Sequence, residues 1–148
     1  ESVVVYREDC YEVISSENKD SSGAAIYQAE LIVSGGRGIK SEADFCTLGE
    51  LAALLGGQVA ASRPPVDMGW LPHEQQIGQS GTAVKPDHII NVGISGSVQY
   101  EVGMQNSGCV ISINHNPDAP IFAISNYGVV GDYRSIVPAI IAEIKKRK

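Results

Sequence analysis

From residue 29 onward one hydrophobic pattern keeps returning along the chain. A short run with almost no polar position, such as AELIVSG (29–35), precedes a stretch whose apolar residues fall three and four apart. The first kind of run lacks the alternation of a half-exposed strand, which marks a strand covered on both faces, as in parallel sheets. The second carries the period of an amphipathic helix. Phe45, Leu48, Leu51, Ala52 and Leu55 form such a stripe; Ser41 stands where an N-cap belongs, with Asp44 three places on as a variant capping box, and Gly56 and Gly57 end the helix. The pattern recurs in QVAASRP (58–64), in HIINVGISGS (88–97) leading into VQYEVGMQN, in GCVISINHNPDAP (108–120) and in PIFAISNYGVVGD (120–132). SIVPAIIAEIKKRK has helical spacing, so Pro138 must sit in its first turn or kink it. Short buried strands alternating with helices predict an α/β fold with a mainly parallel sheet and right-handed crossovers.

Two segments fall outside this pattern. Residues 1–28 hold one alternating stretch, SVVVY, and then the polar, small-residue run SSENKDSSG. They read as a linker or the remnant of a preceding domain, with the compact domain at 29–148. Residues 64–87 are rich in Pro and Gly and predict an extended excursion with little regular helix.

Composition narrows the class. A chain of 148 residues with 43% hydrophobic content suffices for one globular domain with a sizeable core. No segment reaches the roughly 18 uninterrupted apolar residues of a membrane span, and the chain opens on Glu1 without a charged-then-apolar leader, so it reads as soluble and as a fragment. Cys10, Cys46 and Cys109 lie far apart and outside any CxxC or Cys/His spacing, which fits a reducing, cytosol-like compartment. The net charge is -6, although four of the eleven basic residues are the last four, Lys145 to Lys148. The body is more acidic still and would repel nucleic acid. The basic end reads as the solvated C-terminus of a helix, whose dipole favours cations.

Chemistry is concentrated in the loops. In a parallel sheet the loops leaving the carboxyl ends of the strands gather along one edge, where such folds take their ligands. Here those loops are SGGRGIKS, ASR, ISGS and INHNPDAP. Glycines let backbone N–H groups approach an anion, Arg37 and Arg63 supply charge, and a helix capped around Ser95 adds a partial positive end. A phosphate-bearing ligand is the natural guest. GGRGIKS nevertheless misses both the P-loop and the GxGxxG patterns, and taken alone it is equally a tight strand-to-helix turn. His73, His88 and His115 show no metal-ligand spacing, and no nucleophile–base arrangement or carboxylate pair can be assigned, so hydrolase chemistry is disfavoured. Trp70 and Tyr127 read as core or rim, although either could stack on a ring.

Taken together, SGGRGIKS, AASRPPVDMGW, QIGQSG, VKPDHIINVGISGSVQY, INHNPDAPIF and NYGVVGD stand in an order and at spacings that resemble the C-terminal FAD-binding domain of the electron transfer flavoprotein alpha subunit, from about Ala29 to the end. The resemblance implies a Rossmann-like three-layer domain with helices on both faces of the sheet. It implies an FAD-loaded carrier of single electrons rather than a stand-alone catalyst, with an electron transfer flavoprotein beta subunit as partner and an alpha-subunit portion that is missing here. Flavin-containing dehydrogenases would be donors and a quinone reductase or another acceptor would lie downstream. Neither nucleic acid nor stable membrane insertion is implied, and the setting would be cytoplasmic, or the mitochondrial matrix in a eukaryote.

Position by position, the resemblance places Arg37, Ser62, Arg63, Ile77, Gly78, Gln79, Ser80, Ser95, Gly96, Ser97, Gln99, Tyr100, Asn114, Asp132 and Tyr133 around the cofactor. Ser80 would reach flavin N5, Arg63 would lie against the isoalloxazine, and Ser95, Asn114 and Asp132 would face the diphosphate and adenosine. A guanidinium near the flavin N1/O2 edge favours the negative charge that arrives there on reduction. Tyr100 stands where the family usually has His facing flavin O2; a phenol can donate a hydrogen bond but brings no positive charge. Asn126 replaces a frequent Asp. Two other readings of the loops are open: an NADP-binding reductase domain with Arg63 on the 2′-phosphate, and a non-redox adenine-nucleotide-binding assembly module.

Overall fold

The structure is a computed structural model that describes residues 26–148. The apolar runs become five strands: β1 (Leu31–Gly35), β2 (Gln58–Ala61), β3 (His88–Val92), β4 (Cys109–Asn114) and β5 (Tyr127–Val130). They pair in parallel in the order β2-β1-β3-β4-β5. Among the described residues four helices follow β1: α1 (Asp44–Leu55), α2 (Arg63–Asp67), α3 (Val98–Met104) and α4 (Tyr133–Arg147). The result is the expected Rossmann-like α/β fold of three layers.

The continuous apolar character of the central strands follows from cover on both sides. On one face Val33, Val59, Ile90, Val92 and Ile113 pack on Phe45, Leu48 and Leu51 of α1 and on Val137 and Ile141 of α4. On the other, Ile32, Ile89 and Val110 meet Tyr100 and Met104 of α3, together with Ile77, Val84 and Ile121 from the connections. Ile26, ahead of the expected start at Ala29, is fully buried in this second cluster. Each fully buried aliphatic or aromatic side chain contributes roughly 1.5–3 kcal/mol of transfer free energy.

Local details differ from the sequence pattern in instructive ways. The N-cap of α1 is Ala43 and makes no side-chain cap bond; neither Ser41 nor a capping box closes this helix. The Asp44 carboxylate is instead engaged by the Tyr133 hydroxyl, a partner distant in sequence. Gly56 ends the helix as expected, in the left-handed region at φ 74°, with its amide on the carbonyls of Ala52 and Ala53. The excursion over 64–87 carries only the end of α2 and a 3-10 turn, His73–Gln75. PIFAISNYGVVGD is not one strand: Pro120–Ile124 forms a 3-10 turn, and the ladder resumes at β5, where Asn126 donates its N–H to the Val110 carbonyl and accepts the Val110 amide on its Oδ1. Pro138 lies inside α4 beyond its first turn, so the Arg134 carbonyl lacks its usual amide donor four residues on. The basic end is tied down by surface pairs, Lys145 with Glu50 of α1 and Arg147 with Glu143. Among the described residues no helix is long and apolar enough to cross a membrane.

Candidate functional site

Strand order fixes where a ligand can enter. The chain leaves β1 through α1 on one face and reaches β2, then crosses to the other side of β1 to form β3 and leaves that strand through α3 on the opposite face. The loops after β1 and β3 therefore diverge and open a crevice at the carboxyl edge, the switch point of such a sheet. Two glycine-bearing segments cross at its base. Gly36 donates its amide to the Val92 carbonyl and Gly38 to the Gly93 carbonyl. A Cβ on Gly36 would lie 2.6 Å from the Gly93 carbonyl oxygen, so this approach is open only to a residue without a side chain.

A cleft lies on either side of this crossing. The wider, of about 650 Å³, is lined by Arg37, by Ser62 and Arg63 after β2, by the loop Gln76–Ser80, and by Ile94–Ser97 with Gln99 and Tyr100. The narrower, of about 240 Å³, is lined by Gly38 and Lys40 after β1, Gly93 after β3, Asn114 and His115 after β4, and Asp132, Tyr133 and Arg134 after β5. Arg37 and Gly38 are chain neighbours, as are Gly93 and Ile94, so the two clefts adjoin across the crossing. Every residue singled out from the sequence lines one cleft or the other: Arg37 through Tyr100 the wide one, Asn114, Asp132 and Tyr133 the narrow one.

Within the wide cleft the backbone offers donors. Among the described residues no protein acceptor takes the amides of Ser95, Gly96 and Ser97. Ser97, rather than Ser95, caps α3: its Oγ accepts from the Tyr100 amide at 3.3 Å. Arg37 is exposed and has no ion-pair partner among the described residues. Arg63 is also exposed, and its Nε pairs with Asp67 at 3.1 Å, one turn along α2. The loop carrying Gly78, Gln79 and Ser80 is pinned to α3, with the Gln79 amide on the Gln99 carbonyl at 2.8 Å.

Tyr100 lines the wide cleft, and its side chain is 3% exposed. The hydroxyl donates to Asn91 Oδ1 at 2.6 Å and accepts from Ser34 Oγ at 3.0 Å. Burial pushes the phenol well above its ordinary pKa, against a smaller opposing effect of the Ser34 hydrogen bond. The physical reason is helical spacing: Tyr100 and Met104 share the buried face of α3, opposite the register pair Ser34 and Asn91. The phenol proton is therefore committed to Asn91.

The narrow cleft is polar and partly self-satisfied. Asn114 Nδ2 donates to the Ile94 carbonyl at 2.9 Å and its Oδ1 accepts the Asn116 amide, so it ties the β3 loop to β4. Asp132 caps α4; the Arg134 amide, then the Arg134 side chain, hold its carboxyl below the ordinary carboxylate range. The Tyr133 hydroxyl donates to Asp44 and accepts the Lys40 amide at 2.9 Å, fastening the β1–α1 loop to the start of α4. Burial and the Asp44 carboxylate push its pKa up to about 12. Lys40, Gln76, Ile94 and Arg134 line the clefts without having been singled out from the sequence; nothing in HEQQIGQSG separates Gln76 from Gln75, because only the fold shows which is buried.

Fold and crevice together define a Rossmann-like α/β domain with two adjoining clefts at its switch point. The electron transfer flavoprotein FAD-binding domain family matches residues 25–105, just over half of the chain, and the chain belongs to that family. It is 46% identical over 136 residues to the electron transfer flavoprotein subunit alpha of Thermoanaerobacterium thermosaccharolyticum, covering 92% of this chain and 41% of that protein. It is 43% identical over 147 residues to the same-named subunit of Bacillus subtilis, covering 99% of this chain and 45% of that protein. Over 121 residues it is 47% identical to protein FixB of Clostridium saccharobutylicum, covering 82% and 36% respectively. The chain thus spans less than half the length of these relatives.

Proposed function

We propose that this chain is the FAD-binding portion of an electron transfer flavoprotein alpha subunit, with residues 29–148 as its domain near that subunit's C-terminal end. It would carry single electrons from flavin-containing dehydrogenases to a quinone reductase or another acceptor, paired with a beta subunit, in the cytoplasm or the mitochondrial matrix of a eukaryote. The observation that carries this reading is the pair of clefts joined at the close crossing of two glycine-bearing segments.

The residues present fit the group. A dinucleotide has a bulky end, a doubly anionic bridge and a second, smaller end. The amides of Ser95 to Ser97 lack acceptors among the described residues, and with the unpaired Arg37 they offer donors and charge for the bridge. The wide cleft, with Ser62, Arg63, Ile77, Gly78, Gln79, Ser80, Gly96 and Gln99, suits a tricyclic ring; Asn114, Asp132 and Tyr133 flank the narrow one, where an adenosine end would sit. When bound, FAD supplies reversible one-electron chemistry at its ring. The chain's own tasks are then to bind, to orient the ring, and to hold cationic and donor groups beside it. No general base is required by such a carrier.

Denaturing the purified protein and recording the absorption spectrum and mass of what is released tests the reading: FAD is expected. A colourless preparation that neither releases nor takes up FAD, and binds NADP instead, would refute it.

A further inference from the structure

Gln76 is 3% exposed and yet lines the wide cleft. Its backbone is fixed on both sides: its amide donates to the His73 carbonyl at 2.9 Å, its carbonyl accepts from the Thr82 amide at 2.8 Å, and the next residue, Ile77, donates to the Ala61 carbonyl of β2 at 2.8 Å. The loop 76–82 folds back so tightly that a Cβ on Gly81 would stand 2.4 Å from the Gln76 carbonyl oxygen. Across this loop Gln76 Nε2 lies 2.9 Å from Ser80 Oγ.

That contact has a direction. An amide nitrogen has hydrogens to give and no lone pair to accept with, so Ser80 Oγ is the acceptor. The Ser80 hydroxyl hydrogen then has no acceptor among the described residues, and Ser80 is exposed in the cleft. We propose that Gln76 is a positioning residue: its buried amide occupies the Ser80 oxygen and thereby commits the Ser80 hydrogen to donate into the cleft, to an acceptor on the edge of the bound ring. Gln76 touches Ser80, not the ring. A carboxylate at the same place would take the Ser80 hydrogen and turn the bond around. The inference rests on the reading of the wide cleft as the flavin end of an FAD site.

The test is a titration of the full chain with FAD, followed by flavin fluorescence and the visible absorption band. Wild type, Gln76→Met, Gln76→Glu, Ser80→Ala and the Gln76→Met/Ser80→Ala double variant are compared. Gln76→Met and Ser80→Ala are each expected to weaken FAD binding about fivefold, the worth of about one net hydrogen bond, and to move the band in the same sense. The double variant is expected to lose no more than about fivefold, because both changes remove one interaction. Gln76→Glu is expected to match Ser80→Ala in band position, and, being isosteric, it carries the test if Gln76→Met does not fold. Wild-type affinity and band in the Gln76 variants, or an additive loss of about twenty-fivefold in the double variant, would overturn the inference. A wild-type chain that takes up no FAD overturns the reading beneath it, and that failure is visible without any variant.

Discussion

Replacing Tyr100 with Phe removes one oxygen from the centre of a buried chain of hydrogen bonds. The Ser125 hydroxyl donates to the Ile121 carbonyl at 2.7 Å, so the 2.7 Å contact between Ser112 and Ser125 must have Ser112 as donor. Ser112 accepts from Asn91 Nδ2 at 3.3 Å, Asn91 Oδ1 accepts from Tyr100, and Tyr100 accepts from Ser34. Each hydroxyl in the chain thus gives its hydrogen to the next acceptor. Tyr100→Phe leaves Asn91 Oδ1 and the Ser34 hydroxyl facing each other without the oxygen between them, and Ser34 and Asn91 are both 0% exposed. An unmet buried polar group costs about 1–3 kcal/mol, so two of them, partly relaxed, should lower the unfolding free energy by about 2–4 kcal/mol. Urea unfolding with an unchanged m-value measures this directly. Ser34→Ala in the same background removes one of the stranded groups, so the double variant should lose less than the sum of the two single losses, with a coupling of about 1 kcal/mol. A Tyr100→Phe loss below about 0.5 kcal/mol, or strict additivity with Ser34→Ala, would refute the assignment of the phenol to this chain.

Gly36→Ala puts a Cβ 2.6 Å from the Gly93 carbonyl oxygen, which is backbone and cannot swing aside; a loss of about 1–3 kcal/mol in urea unfolding, together with weaker FAD uptake, is expected. Arg63→Ala breaks a pair whose side chains are 69% and 60% exposed, so stability should stay within about 0.5 kcal/mol while FAD titration weakens; an equal loss in both would assign Arg63 to structure alone. The folded pKa values of Tyr133, about 12, and of Tyr100 are raised above the ordinary phenol value of 10.0. Their stabilisation is fully present below pH 10 and is lost as pH rises from there through 12 and beyond, so unfolding free energy should hold level up to about pH 10 and then fall. Tyr133→Phe should flatten part of that fall.

What the sequence made legible was whatever depends on local pattern. A strand buried on both faces has no choice but to be apolar throughout, so the runs around 31–35, 58–61, 88–92 and 109–114 stood out, and the α1 stripe followed from helical spacing alone. The cleft loops were legible because a backbone that must come within touching distance of another backbone writes glycine into the chain. What stayed hidden depends on pairs distant in sequence. Asp44 looks like a capping residue until α4 brings Tyr133 to it. The partners of the Tyr100 hydroxyl stay hidden until the register sets Ser34 beside Asn91 beneath it. PIFAI has the composition of a strand, yet Pro120 opens a 3-10 turn there and Asn126 restarts the ladder through its side chain. The pairing of Arg63 with Asp67, one turn along α2, likewise shows only once the helix is formed.

The same register that hides Tyr100 also builds the crevice. Ser34, Asn91 and Ser112 stand opposite one another across β1, β3 and β4. A polar row in an otherwise apolar face is a liability unless its members meet, and in a sheet a slip of one residue would carry each of them to the other face. The Tyr100 phenol caps the row from α3 and so favours this pairing over its neighbours. Two residues further along both strands, the same pairing brings Gly36 against Gly93, where a Cβ on Gly36 would meet the Gly93 carbonyl oxygen and Ile94 Cγ1. A one-residue slip would set Arg37 or Ile94 at that crossing, and the close approach between the two clefts would be lost. The buried polar row thus acts as a register pin for the backbone crossing. This is why a change at Tyr100, whose hydroxyl is bound to Asn91 and Ser34, bears on whether the cleft keeps its shape.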